Sequence, residues 1–267
     1  MSYPIKEELR LKKVFEFATN KILKSVKKND FDGEVIEALE KFEFSKEEKK
    51  EIINLLGEVA GSTSKHIFSN WRTLSDDELI RNDLTNAKKW IKQNYDLVNT
   101  TSKTMGEFYS NYKTDTYLNI LKSFEDPLKY RLDKLMTKEI NTSDMKKLMF
   151  ELKQGKNNKE IKEMISLIEK GINVSPENLS KLRMYALRKN ELRARNEVGN
   201  LYSSELEAMM YENGIDDYIW RTMEDNNVRE DHKKRDRKIY SVYDGNLPGS
   251  DFGCRCWAEP VRKGVKK

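Results

Sequence analysis

The sequence predicts a mainly α protein with a small C-terminal α+β module, in which an elongated helical region is followed by a long helix packed on a short antiparallel sheet. Three observations carry that reading. Apolar residues recur at three- and four-residue steps through the first two thirds of the chain, the period of an amphipathic helix. Ser175-Pro176-Glu177 and Asn213-Gly214 then frame about 37 residues with a strong helix start and an equally strong stop. After them come short runs of strand formers separated by turn residues.

Leu11, Phe15, Ala18, Ile22 and Val26 place the first helix over about residues 5–28, ended near Asn29-Asp30-Phe31-Asp32-Gly33. Ser45-Lys46-Glu47-Glu48 is a capping box and opens a helix predicted to bury Ile52, Ile53, Leu56 and Val59. Ser75-Asp76-Asp77-Glu78 repeats the device for a helix that uses Leu79, Leu84, Ala87 and Ile91. A further helix runs through Phe108, Tyr112, Tyr117 and Leu121 and ends near Asp126-Pro127, because the residue before a proline resists the helical conformation. Met145, Leu148, Met149 and Leu152, followed by Ile161, Met164, Ile165 and Ile168, have the spacing of a helical hairpin. The boundary between a helical region, residues 1–172, and the module, residues 173–267, falls near Gly171-Ile172-Asn173-Val174.

If unbroken, the long helix of the module extends about 55 Å at 1.5 Å per residue; if it is broken, Gly199 is the expected place. Tyr218, Ile219, Trp220 and Thr222 form a strand, Lys238 to Tyr243 alternate like a second, and Cys254-Arg255-Cys256-Trp257-Ala258 make a third that Pro260 ends. Two or three such strands are too few to stand alone, so the helix upstream covers one face of their sheet.

Charged residues make up 36% of the chain and hydrophobic ones 37%. No run approaches the roughly 18 apolar residues of a spanning helix, and the start lacks the basic-then-apolar layout of a secretory leader. Two cysteines in 267 residues are too few for a disulfide framework. These features point to a soluble protein of a reducing compartment, with no membrane segment. A net charge of +5 from 50 basic and 45 acidic residues is too small a bias to announce a nucleic-acid binder. No P-loop, HExxH, dinucleotide fingerprint or Ser/His/Asp arrangement is present, so no enzyme class is indicated.

Both cysteines and one of the two histidines lie in the final stretch of the chain. Cys254 and Cys256 face the same side of a strand, and a disulfide between them would be badly strained. One reading makes them a pair of small half-buried thiols beside a hydrogen-bonded histidine, with no cofactor. The other joins them to His232 and a carboxylate, Asp225 or Asp236, as a zinc site, since zinc favours thiolate and imidazole in a tetrahedral shell. Arg229, His232 and Asp236 share one face if their segment is helical, either as an acid–base group or as a polar network holding the module together. Lys233, Lys234 and Arg235, and in the tail Arg262, Lys263, Lys266 and Lys267, are basic clusters that read as a solvated face or as a contact for DNA or an acidic partner.

Arg193-Ala194-Arg195-Asn196-Glu197-Val198-Gly199, Gly214-Ile215, Tyr218-Ile219-Trp220-Arg221-Thr222, Val228-Arg229-x-x-His232 and Cys254-Arg255-Cys256-Trp257-Ala258-Glu259-Pro260-Val261 follow one another in the order, and near the spacing, of a known domain. Residues 185–262 resemble the C-terminal domain of phage minor head proteins, the family of the bacteriophage Mu F protein and the SPP1-type head morphogenesis proteins. Where many relatives have an aspartate-glycine pair after the histidine, this chain has Asp236-Arg237, and Asp225 and Val228 occupy the neighbourhood where some relatives carry a cysteine pair. The resemblance implies a minor head protein of the virion, present in the host cytoplasm during assembly. It also implies binding to the portal and to capsid or scaffolding protein, and a role in packaging or delivering DNA; direct contact with packaged double-stranded DNA is one of the two readings of the basic clusters. Two other classes stand beside it: a metal-dependent enzyme acting on nucleic acid, and a host-directed interaction protein.

Overall fold

The computed structural model describes residues 3–26, 32–74, 85–122 and 176–261. The second capping box at Ser75, the stop at Asp126-Pro127, the hairpin of residues 145–168, the boundary at residues 171–174 and the basic tail of Arg262, Lys263, Lys266 and Lys267 lie outside these residues. Among those described, the elements in order are α1 (Ile5–Ser25), α2 (Asp32–Glu40), α3 (Lys46–Leu74), α4 (Thr85–Asn99), α5 (Thr101–Lys122), α6 (Pro176–Glu212), β1 (Asp217–Arg221), α7 (Glu230–Arg235), β2 (Ile239–Ser241), a 3₁₀ turn (Val242–Asp244) and β3 (Trp257–Pro260). The protein is mostly helical, with a three-stranded antiparallel sheet near its C-terminus, as the apolar periodicity and the strand runs predict.

The chain forms two compact units. The first draws on Met1–Ala18, Phe44–Asn99 and Leu187–Lys267, the second on Thr19–Glu43 and Thr100–Ala186. In the second, α2 lies against α5, with Gly106 close enough to Leu39 that an added Cβ would stand 3.5 Å from the leucine's own. Phe108 stacks on Tyr185 of α6 at 3.8 Å between ring centroids, and Lys181 donates to the Tyr112 hydroxyl at 2.7 Å.

The first unit is built on the predicted inward faces. Leu11, Phe15 and Ala18 of α1, Ile52, Leu56 and Val59 of α3, and Val198, Leu201, Tyr202 and Leu206 of α6 are all buried. The capping box is formed as expected: Ser45 N donates to Glu48 at 3.0 Å and Glu48 N to Ser45 Oγ at 3.2 Å. Ile53 is the exception to the predicted face and is 43% exposed. It lies about 100° round the helix from Ile52, and Ile52, Leu56 and Val59 already fill the inward stripe. Polar ties fix α6 in place: Trp90 Nε1 donates to the Glu197 carbonyl at 2.7 Å, Asn86 Nδ2 to the Ser204 carbonyl at 3.0 Å, and Ser64 Oγ to Glu205 at 2.6 Å.

The long helix runs unbroken for 37 residues, so Gly199 is not a break. The glycine serves close approach instead. A Cβ on Gly199 would stand 2.7 Å from the Gly249 carbonyl oxygen, and one on Gly249, whose φ is +91°, 2.9 Å from that of Gly199. The loop before β3 therefore lies backbone to backbone on α6. The helix stops where predicted: Gly214 has φ +60°, and the bonds Gly214 N to Tyr211 O and Ile215 N to Met210 O are the two that satisfy the last free carbonyls around a glycine C-cap.

β1 is the central strand, in the order β2-β1-β3, with Tyr218 opposite Tyr240 and Trp220 opposite Ala258. Its burial alternates, Tyr218 and Trp220 inward, as a half-buried strand requires. Tyr202 of α6 accepts from Ala258 N at 3.1 Å, joining the long helix to β3, and α3 also lies against β3. Two strands are shorter than predicted. β2 stops at Ser241 because Ser241 and Asp244 make their own capping box on the 3₁₀ turn. β3 begins at Trp257 because Cys256 N bonds to Cys254 Sγ at 3.3 Å, which bends the cysteine segment out of strand pairing.

Candidate functional site

The residues singled out by the sequence converge where α7 and the loop before β3 meet beside β1. β1 ends at Arg221, and Asp225 folds the chain back by accepting Asn227 N at 2.9 Å, a turn in which a side chain mimics the backbone. Arg229 then caps α7 with extended backbone, and Asp236 closes it. The short helix between them turns His232 inward, to 2% exposure.

The partners of Arg229, His232 and Asp236 are separate, so these three do not form one acid–base group. Arg229 donates to the Phe252 carbonyl. Asp236 accepts Thr222 N at 2.8 Å and Thr222 Oγ1 at 3.3 Å, tying the end of α7 to the end of β1. His232 goes to the cysteines. Its Nδ1 stands 3.5 Å from Cys254 Sγ and 3.4 Å from Cys256 Sγ, while Nε2 meets Asp251 Oδ2 at 2.9 Å. The edge of its ring meets Trp220, 5.4 Å between centroids at 74°, and Arg235 covers the same indole at 5.0 Å. Lys233 and Lys234 are exposed, Lys233 paired with Glu230 at 2.7 Å.

Both cysteines are buried and carry free thiols. The Cys254 thiol is held down to about 6, chiefly by a hydrogen bond with Cys256, with the Cys256 and Gly249 N–H groups assisting against the cost of burial. Cys256 is driven up by the same hydrogen bond and by burial. Two adjacent buried thiols thus favour one shared negative charge over two.

His232, Cys254 and Cys256 form the group of possible metal donors among the described residues, their donor atoms all within 4.8 Å of one another. Asp225 and Asp236 are not in it: Asp225 is exposed at its turn and Asp236 is committed to Thr222. A cavity of about 310 Å³ opens over the group and is lined also by Asp225, Arg229 and Arg255.

Arg255, between the two cysteines, reaches away from the donor group. It grips Glu8 of α1 with two prongs, Nε to Oε2 at 2.8 Å and Nη2 to Oε1, and Arg195 Nε stands 3.7 Å from the same carboxylate. Arg221 pairs with Glu259 at 3.5 Å and lies over Trp257 at 5.7 Å. Sequence reasoning missed Glu8 and Asp251. Glu8 carried a faint signal, because it stands three positions before Leu11 and so shares the face of α1 predicted to be buried. Asp251 carried none, being one acid in a loop of turn residues.

Residues 145–259, which hold this whole cluster apart from Glu8, match the family model described as phage Mu protein F like protein. This part of the chain is similar to phage Mu protein F. The match begins about forty positions before the resemblance read from the motifs at residues 185–262. Within the matched region lie Trp220, Arg229, His232, Asp236, Asp251 and both cysteines. An uncharacterized protein of Haemophilus influenzae is 36% identical over 72 residues, which cover 26% of this chain and 16% of that protein. The chain therefore spans well under two thirds of that relative's length. No solved structure matches the chain at a significant level.

Proposed function

We propose that this is a phage minor head protein that works at the portal vertex, binding the portal and capsid or scaffolding protein during head assembly and taking part in packaging or delivery of the DNA. The observation that carries the reading is the coincidence of the family match with one compact site: Trp220, His232, Cys254 and Cys256, separated in sequence, stand together in the matched region, with Arg229 on the wall of the adjoining cavity. Exposed Lys233 and Lys234 on α7 are suited to contact with phosphate backbone, a contact that would weaken with salt. Among the described residues no helix is long and apolar enough to cross a membrane. The virion is the proposed location, with the host cytoplasm the site of assembly.

The test is co-purification of the full chain with the portal protein, joined to mass spectrometry of procapsids and mature heads. The expected result is a portal complex and a low copy number relative to the major capsid protein. Absence from both particle types would overturn the head reading.

A further inference from the structure

We propose that His232, Cys254 and Cys256 hold a zinc ion, with Asp251 as the group that orients the histidine and the fourth position turned to the cavity. The geometry of the donors carries this. A zinc–sulfur bond of about 2.3 Å and a zinc–nitrogen bond of about 2.0–2.1 Å at the tetrahedral angle set sulfur and nitrogen about 3.6 Å apart. The two Sγ–Nδ1 separations are 3.5 and 3.4 Å. The two sulfur–nitrogen edges of a coordination tetrahedron are therefore already set, by donors 22 and 24 positions apart in the chain.

Hydrogen bonding within the protein accounts for the cluster less completely. Asp251 can only accept when ionised, so its 2.9 Å contact places the ring proton on Nε2. In that tautomer Nδ1 presents one lone pair to the two buried sulfurs. At most one S–H can donate to that lone pair; a metal ion engages both sulfurs and the nitrogen at once. A carboxylate on the far nitrogen of a ligating imidazole is the usual means of fixing its tautomer and raising its basicity. The Gly199–Gly249 approach holds the loop that carries Asp251 and Cys254 against α6, so the donors are set by packing and not only by one another.

Zinc is the metal this set selects, since two thiolates and an imidazole are borderline-soft ligands and oxygen-seeking cations would be poorly served. The ion would join α7 to the segment before β3, a cross-link that requires no oxidising compartment. Asp225 lies on the cavity wall but outside the donor group, so a solvent molecule completes the shell.

The experiment uses the full chain, stripped of metal by chelation and titrated with cobalt(II), then with zinc. One equivalent of cobalt is expected to give a sulfur-to-metal charge-transfer band and the visible bands of a tetrahedral site, displaced by zinc, with one zinc per chain by elemental analysis. Cys254→Ser and Cys256→Ser should each weaken the charge-transfer band. Asp251→Asn should keep the spectrum but lower affinity about 10- to 100-fold, and Asp225→Ala should change neither. If chelation unfolds the chain and zinc restores it, the centre is supported through folding. A folded wild-type chain that takes up neither ion, or uptake that survives loss of both cysteines, would overturn it.

Discussion

Glu8 and Arg255, 247 positions apart, form a two-pronged ion pair that fastens α1 to the segment between the two cysteines. Glu8 is 4% exposed, whereas the Arg255 side chain keeps 28% of its exposure. The two ends are therefore unequal. Arg255→Ala leaves a buried carboxylate with Arg195, 3.7 Å away, as its remaining ion-pair partner among the described residues, and is expected to cost about 1.5–3 kcal/mol, the range for hydrogen bonds to charged groups. Glu8→Gln keeps a hydrogen-bond acceptor and leaves an arginine that can reach water, and should cost less. Urea denaturation of the two variants measures the order; equal losses would show that the buried end is not the costly one.

Gly199→Ala supplies a second prediction with an internal control. Alanine is favoured over glycine in a helix by about 1 kcal/mol, yet its Cβ would meet the Gly249 carbonyl at 2.7 Å, and that atom is backbone. The variant should be destabilised by about 1–3 kcal/mol, the cost of overpacking. Gly57→Ala, on α3 with nothing within 4 Å of the added Cβ, should instead gain about 0.4–1 kcal/mol. Thermal melts of both variants check the opposite signs.

Arg237 adopts φ +63°, in the left-handed region, at the place where many sequences of the resembling domain put glycine. The turn after Asp236 is thus made without its glycine, and the backbone carries the strain that a side chain brings there. In calorimetric scans Arg237→Gly is expected to raise the melting temperature even though it removes the contact with Glu224, and Arg237→Val to lower it. A fall with glycine would mean that the exposed ion pair outweighs the strain.

Buried tyrosines predict an alkaline limit to stability. Desolvation raises Tyr3 and Tyr202 above the ordinary value of 10, and also Tyr218. In each case the folded state keeps its proton after the unfolded state has lost one. Stability is then full below about pH 10, the unfolded value, and falls as pH rises past it, because the unfolded state binds fewer protons. Denaturation midpoints should decline as pH rises from about 10 to 11, and Tyr218→Phe should flatten that decline. A midpoint independent of pH across that range would refute the assignment.

Local signals in the sequence were the most legible. The Ser45 box, the start at Pro176 and the glycine stop at Gly214 depend on near neighbours in the chain, and each stands where the sequence puts it. The cysteines and His232 were legible as residues of interest, but their mutual distance depends on how the loop before β3 lies on α6. Asp251 and Glu8 could not be chosen among 45 acidic residues without that packing. Gly199 misled for a physical reason: a glycine in a helix reads as a weakness from its propensity, and here it is the contact point for a second backbone.

The three-part make-up of the first unit has a consequence for the newborn chain. Glu8 leaves the ribosome 247 residues ahead of Arg255, which at about 5–20 residues per second is a wait of roughly 12–50 s. Until the last segment emerges, α1 and α3 hold apolar faces without their final cover, open to holdase chaperones or to each other's copies. Synthesis order thus delays completion of this unit until the cysteine segment is out, so a product that stops short of Arg255 leaves the ribosome with its first helix still unfastened.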